Sequence, residues 1–207
     1  MSQLDFSTTL GNAWFPTPIF TASGCASSGK ELAQFFDLRD MGAIVTKSIM
    51  TKPRAGRATP RMAETPSGML NSIGLQGPGI DAFLANDLAW LVEQKARIIV
   101  SIAGETAEEF ASLARRLRGV AGISALEVNI SCPNVENRGM VFACHLESAQ
   151  TVIEGVRRTI GGDLPIIAKL SPDVTDIVSI ARGVIDAGAD GLALINTVLG
   201  MVINPNT

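Results

Sequence analysis

The sequence predicts a parallel α/β fold of the (β/α)8 barrel type, incomplete, with about six of eight βα units present. Three observations predict it. Short apolar runs alternate with longer amphipathic stretches, polar residues recur just after each run, and glycines stand where helices should stop. The alternation alone means a parallel sheet covered by helices, either doubly wound or closed as a barrel. An open doubly wound sheet usually binds its ligand at one switch point. Polar groups at six strand ends favour the barrel, whose site is built from many strand ends.

The elements follow in order. Residues 4–15 read as a hairpin turning at Gly11-Asn12, placed to cap the bottom of a barrel. The apolar runs are 18–22, 43–46, 97–102, 125–130, 165–170 and 191–195. Each is short and rich in Val, Ile, Leu or Ala, as strands buried on both faces are. Helices are expected over 30–38, 81–95, 105–118, 147–159 and 173–187. The helix at 105–118 opens on acidic residues and closes on Arg115, Arg116 and Arg118, the charge order its dipole favours. Gly119, Gly161 and Gly188 sit at helix ends, where the chain must turn left-handed. The connection from Ser48 to Gly79 is rich in Pro and Gly and far exceeds the ~2–6 residues usual in α/β units. A loop of that length suggests a lid or a binding loop.

Composition excludes several classes. The chain has 207 residues, 46% of them apolar and 18% charged. Disordered chains show the opposite balance. Residues 1–207 are read as one partial barrel domain, with the hairpin at 4–15 and barrel units over 16–203. A net charge of −3 gives no basic face for nucleic acid. Cys25, Cys132 and Cys144 are too few and too scattered for a disulfide framework or a zinc site, which suggests a reducing cytoplasmic setting. No basic segment precedes an apolar one at the N-terminus, and no apolar run approaches the ~20 residues of a membrane span.

The strand ends carry the chemistry. They read Ala22-Ser23-Gly24, Lys47-Ser48, Ser101 to Gly104, Asn129 running into Ser131-Cys132-Pro133-Asn134, Lys169-Leu170-Ser171, and Asn196-Thr197. Two lysines, several amides, hydroxyls and one thiol suit a flat, electron-rich, hydrogen-bonding ligand such as a flavin or a pyrimidine. The thiol is a candidate base or nucleophile. No carboxylate pair or metal-ligand cluster stands beside them, so no metal is expected.

These residues carry a resemblance. Thr21-Ala-Ser-Gly24, Gly42-Ala-Ile-Val-Thr-Lys-Ser48, the stretch from Pro60 to Gln76, Glu127-Val-Asn-Ile-Ser-Cys-Pro-Asn134 and Asp190-Gly-Leu-Ala-Leu-Ile-Asn-Thr197 together resemble class 1 dihydroorotate dehydrogenases. The likeness is strongest to the catalytic subunit of the 1B form and runs from about residue 4 to about 203.

The resemblance implies FMN-dependent oxidation of dihydroorotate to orotate in pyrimidine (UMP) biosynthesis. Cys132 matches the base that removes the C5 proton while a hydride passes to the flavin. Ser23, Lys47, Ser48, Ser101, Asn129, Lys169 and Ile195 match FMN contacts. Lys47, Asn71, Ser72, Ile73, Gly74, Leu75, Asn129, Asn196 and Thr197 match substrate contacts. It implies a homodimer with an NAD-linked electron-transfer subunit carrying FAD and an iron–sulfur cluster. Ser101 departs from the family's Asn, with shorter reach and fewer hydrogen-bonding groups. The family's last two strands and its FMN phosphate site have no counterpart here. The chain alone is therefore expected to be largely insoluble or colourless, with no measurable dehydrogenase activity, and to regain FMN and turnover when that part is appended. Two alternatives stay open: a dihydropyrimidine dehydrogenase-like flavoenzyme, which shares the barrel and a similar Cys motif, and a truncated, non-enzymatic remnant.

Overall fold

The computed structural model describes residues 4–131 and 142–203. A five-stranded parallel sheet organises them, built from β3 (Ile44–Val45), β6 (Ile98–Ile102), β7 (Ile123–Asn129), β8 (Ile166–Lys169) and β9 (Gly191–Ala193). Its order is β3-β6-β7-β8-β9, so each strand pairs with the next in sequence. A doubly wound sheet reverses direction at a switch point. This one does not, and it is the incomplete wall of a (β/α) barrel. The hairpin strands β1 (Thr8–Leu10) and β2 (Ala13–Phe15) pair antiparallel. They sit against the N-terminal ends of β8 and β9, where a Cβ on Gly11 would lie 3.2 Å from Pro165 and one on Gly191 would lie 2.7 Å from Leu10.

Alternation along the strands sorts the two faces. Ile44, Ile98, Val100, Leu126, Val128, Ile166 and Ala168 point outward into the larger core, shared with the helices. Ala43, Val45, Ile99, Ala125 and Ile167 point inward and pack with Phe15 of β2. Continuing the inward series along each strand reaches Lys47, Ser101, Glu127, Asn129 and Lys169. The same period that buries the apolar residues thus aims the polar ones into the mouth.

The expected helices at 105–118, 147–159 and 173–187 are α3 (Ala107–Leu117), α4 (Leu146–Ile160) and α5 (Ile177–Asp186). Thr106 caps α3 by accepting from the Glu109 backbone N–H, and Asp176 caps α5 by accepting from Val178 and Ser179. Gly119, Gly161 and Gly188 follow the three helices with φ of +72°, +60° and +106°. The stretch expected at 81–95 is α1 (Ile80–Ala82), a wider π-helical segment (Phe83–Leu88) and α2 (Ala89–Glu93). Within it the Asn86 side chain donates to the Ala82 carbonyl at 3.0 Å.

Three local expectations change. Residues 18–22 form one bridge, Phe20 to Ala43, and no longer strand. The Thr21 hydroxyl there takes the Val45 N–H at 2.8 Å, a place that backbone pairing would otherwise fill. The helix at 30–38 is two 3-10 turns, Leu32–Gln34 and Leu38–Asp40. Asp37 separates them, because its extended backbone ends one turn and its carboxylate caps the next. The long loop contains the hairpin β4 (Met62–Thr65) and β5 (Gly68–Asn71).

The N-terminal face is tied by Arg157 of α4. Its guanidinium donates twice to the Gly188 carbonyl, at 2.9 and 2.8 Å, and pairs with Asp190. Asp190 also accepts the Ile166 N–H at 2.7 Å, joining the starts of β8 and β9. No helix among the described residues is long and apolar enough to cross a membrane.

Candidate functional site

The C-terminal ends of the strands bring the polar residues into one network. Ser48, just past β3, is its hub. Its Oγ lies 2.9 Å from Ser101 Oγ, 2.9 Å from Asn129 Nδ2 and 3.4 Å from Ser23 Oγ. Ser101 donates to Glu127 Oε1 at 2.8 Å. Glu127 Oε1 is 3.9 Å from Lys169 Nζ, both side chains at most a tenth exposed. On the other branch Asn129 Oδ1 accepts from Ser131 Oγ at 2.7 Å and from Asn196 Nδ2 at 3.3 Å. Asn196 Oδ1 accepts the Thr197 N–H at 2.8 Å and its hydroxyl at 3.0 Å.

Below the network a cavity of about 420 Å³ runs down the inside of the sheet. Ser23, Glu127, Lys169 and Ile195 line its upper part, and Ile99, Ile167 and Leu10 its lower part. Drug-sized and cofactor ligands occupy pockets of roughly 300–1,000 Å³. Lys47 is half-buried and has no hydrogen-bond or ion-pair partner among the described residues. Gly24 leaves space beside it, since a Cβ there would lie 3.6 Å from Lys47 Nζ.

Of the expected residues, the structure joins Ser23, Ser48, Ser101, Asn129, Lys169, Asn196 and Thr197 in this network. Ile195 shares the cavity wall. Ser101 is fully buried, with its hydroxyl engaged by Ser48 and Glu127, and does not line the cavity. Asn71 ends β5, and Ser72 to Leu75 continue from it. This loop is held by the Ser72 N–H on the Arg61 carbonyl (2.8 Å) and the Arg57 N–H on the Ile73 carbonyl (3.0 Å). No bond joins it to the network among the described residues. Its end comes close, since a Cβ on Gly77 would lie 3.8 Å from the Ser48 carbonyl. Cys132 lies outside the described residues.

Sequence reasoning missed Glu127 and Ser131 as site residues. A charged residue inside the apolar run 125–130 was the available signal, because a buried carboxylate needs partners. No group of three or more His, Cys, Asp or Glu among the described residues is arranged to hold a metal ion.

Comparison with known proteins bears on the same residues. The family model described as dihydroorotate dehydrogenase matches residues 5–207. A dihydroorotate dehydrogenase B (NAD(+)) catalytic subunit from Geobacter sp. (strain M21) is 46% identical over 204 residues, covering 99% of this chain and 66% of the relative. The proteins of that name from Desulforamulus reducens and Desulforudis audaxviator are 48% and 50% identical, over 98% and 90% of this chain and 66% and 60% of theirs. The chain thus spans just under two thirds of the length of these curated relatives. With an inward-facing lysine, amide and hydroxyl network at the barrel mouth and a family match over nearly its whole length, the chain belongs to the dihydroorotate dehydrogenase family.

Proposed function

We propose that this chain carries the flavin- and pyrimidine-facing part of an FMN-dependent dihydroorotate dehydrogenase, the enzyme that oxidises dihydroorotate to orotate. The observation that carries it is the Lys47 ammonium beside Gly24, without a partner among the described residues, with the Lys169–Glu127 pair and the Ser48–Asn129 amide and hydroxyl network on the same mouth. The residues fit an electron-rich, planar group. Ser23, Lys47, Ser48, Asn129, Lys169 and Ile195 would hold FMN, Ser101 supporting them from beneath. When bound, FMN supplies the acceptor for the hydride that leaves C6 of the substrate.

The chain's own groups do the rest. A fixed cation stabilises negative charge that grows on a neighbouring group, and Lys169 is held for that by Glu127. Asn129, Asn196 and Thr197, with Asn71 to Leu75 and Lys47, would bind the pyrimidine ring and its carboxylate. Cys132 would take the C5 proton as thiolate. The words catalytic subunit in the names of the relatives support a partner subunit that receives the electrons. That this partner is an FAD/iron–sulfur protein and that the catalytic subunits pair belong to the reading proposed here.

The test is a titration with FMN, followed by orotate or uracil. It uses the chain and a chimera that adds the part of the Geobacter relative outside the match. Orotate should perturb the bound-flavin spectrum at far lower concentration than uracil, and Lys47→Ala should reduce that preference. A stronger response to uracil would move the reading to dihydropyrimidines. No flavin binding in either protein would remove it.

A further inference from the structure

We propose that Glu127, acting through Ser101, is a positioning residue that sets the direction of the hydrogen bonds across the barrel mouth and so fixes which way the Asn129 amide faces. The direction follows from counting protons. A carboxylate only accepts, and a serine hydroxyl has one proton to give. Ser101 spends that proton on Glu127 Oε1 at 2.8 Å. The Ser48–Ser101 contact at 2.9 Å therefore runs from Ser48 to Ser101. With its own proton committed, Ser48 accepts from Asn129 Nδ2 at 2.9 Å and, at 3.4 Å, from Ser23.

The Asn129 amide nitrogen is thereby turned toward Ser48. Its oxygen accepts from Ser131 and Asn196, whose amide nitrogen also donates to Ser131. Every link thus points toward one buried carboxylate, from Thr197 at one end to Glu127 at the other. Among the described residues the second Asn129 amide hydrogen has no acceptor, and it is placed to meet one on a ligand. Were Ser48 free to turn its proton the other way, the amide would have no fixed orientation. Lys169 completes the arrangement, because its ammonium only donates and keeps Glu127 in the role of acceptor.

The consequence for ligand binding rests on the function proposed above, while the hydrogen-bond direction does not. Neutron diffraction from the deuterium-exchanged wild-type chain reads the direction itself. Deuterium is expected on Ser101 Oγ aimed at Glu127, on Ser48 Oγ aimed at Ser101, and none on Glu127. Deuterium on the carboxyl, or a Ser101 deuterium aimed at Ser48, overturns the proposal.

Affinity for orotate in the FMN-loaded protein reads the consequence. S101A removes the link and should weaken orotate binding about tenfold, the worth of one misdirected hydrogen bond. E127Q keeps an acceptor oxygen for Ser101 and should lose several-fold less, and S101A should add no full tenfold to a variant already lacking Ser48 Oγ. An E127Q loss as large as that of S101A would assign the effect to charge and overturn direction as its cause. A chimera carrying the added part of the Geobacter relative that binds neither FMN nor orotate would defeat the proposed function alone, since the deuterium positions still decide this inference.

Discussion

Replacing Ser48 with alanine removes one oxygen at the point where the ends of β3, β6 and β7 meet the segment of Ser23. The side chain is buried, and its Oγ is bonded to Ser101, Asn129 and Ser23. The three losses are unequal. Ser23 is exposed enough to find water. Ser101 keeps its bond to Glu127. Asn129 is only 4% exposed and is left with a buried amide N–H facing a methyl group. An orphaned buried donor costs about 1–3 kcal/mol, and the lost Ser48–Ser101 bond adds about 1 kcal/mol. Ser48→Ala should therefore destabilise the fold by about 2–4 kcal/mol. With a urea m value of about 3 kcal/mol per molar, suited to a chain of this length, the unfolding midpoint falls by about 1 M at unchanged slope. Ser67→Ala, at an exposed turn position, is the control and should stay within about 0.5 kcal/mol. A Ser48→Ala midpoint equal to that of the control would refute the network as a structural element.

Gly42→Ala should destabilise by at least about 1–3 kcal/mol, because its Cβ would lie 2.2 Å from the Thr17 carbonyl oxygen and 2.5 Å from the Phe20 ring; urea unfolding reads this, and an unchanged midpoint contradicts the close approach. Asp176→Ala should cost about 1 kcal/mol by uncapping α5, seen as faster amide exchange at Val178 and Ser179. The Arg39 side chain, then its backbone N–H, hold the Asp37 carboxyl down to about 2 from 3.8. Its folded value lies below its unfolded one, so its contribution is complete above about pH 3.8 and is lost as pH falls through about 2. Carboxyl NMR should show that midpoint, and Arg39→Ala should move it back up.

The barrel was legible in the sequence because strands buried on both faces leave continuous apolar runs, and five of the six runs fell within a few residues of a strand, 18–22 forming only a bridge. Most of the network was legible for a related reason, since polar residues ending apolar strands have little else to do. The hairpin β4–β5 was marked by Thr65-Pro66-Ser67-Gly68, with proline and glycine where a type I turn takes them, but its strands are mostly exposed and lack an apolar pattern. Residues 30–38 have helical spacing, and the local bond from Asp37 to the Arg39 N–H overrides it. Ser101 and Glu127 could not be paired from sequence. Their contact depends on β6 lying beside β7 with Ser101 opposite Glu127, a register that only the folded sheet supplies.

The most direct test of the central claim is anaerobic reduction of protein-bound FMN by dihydroorotate, in the chimera completed from the Geobacter relative. The account predicts that dihydroorotate bleaches the oxidised flavin and that Lys169→Ala slows the bleaching or releases the flavin. Flavin that binds at wild-type affinity and bleaches at the wild-type rate in Lys169→Ala, or that stays oxidised in the presence of dihydroorotate, would contradict it.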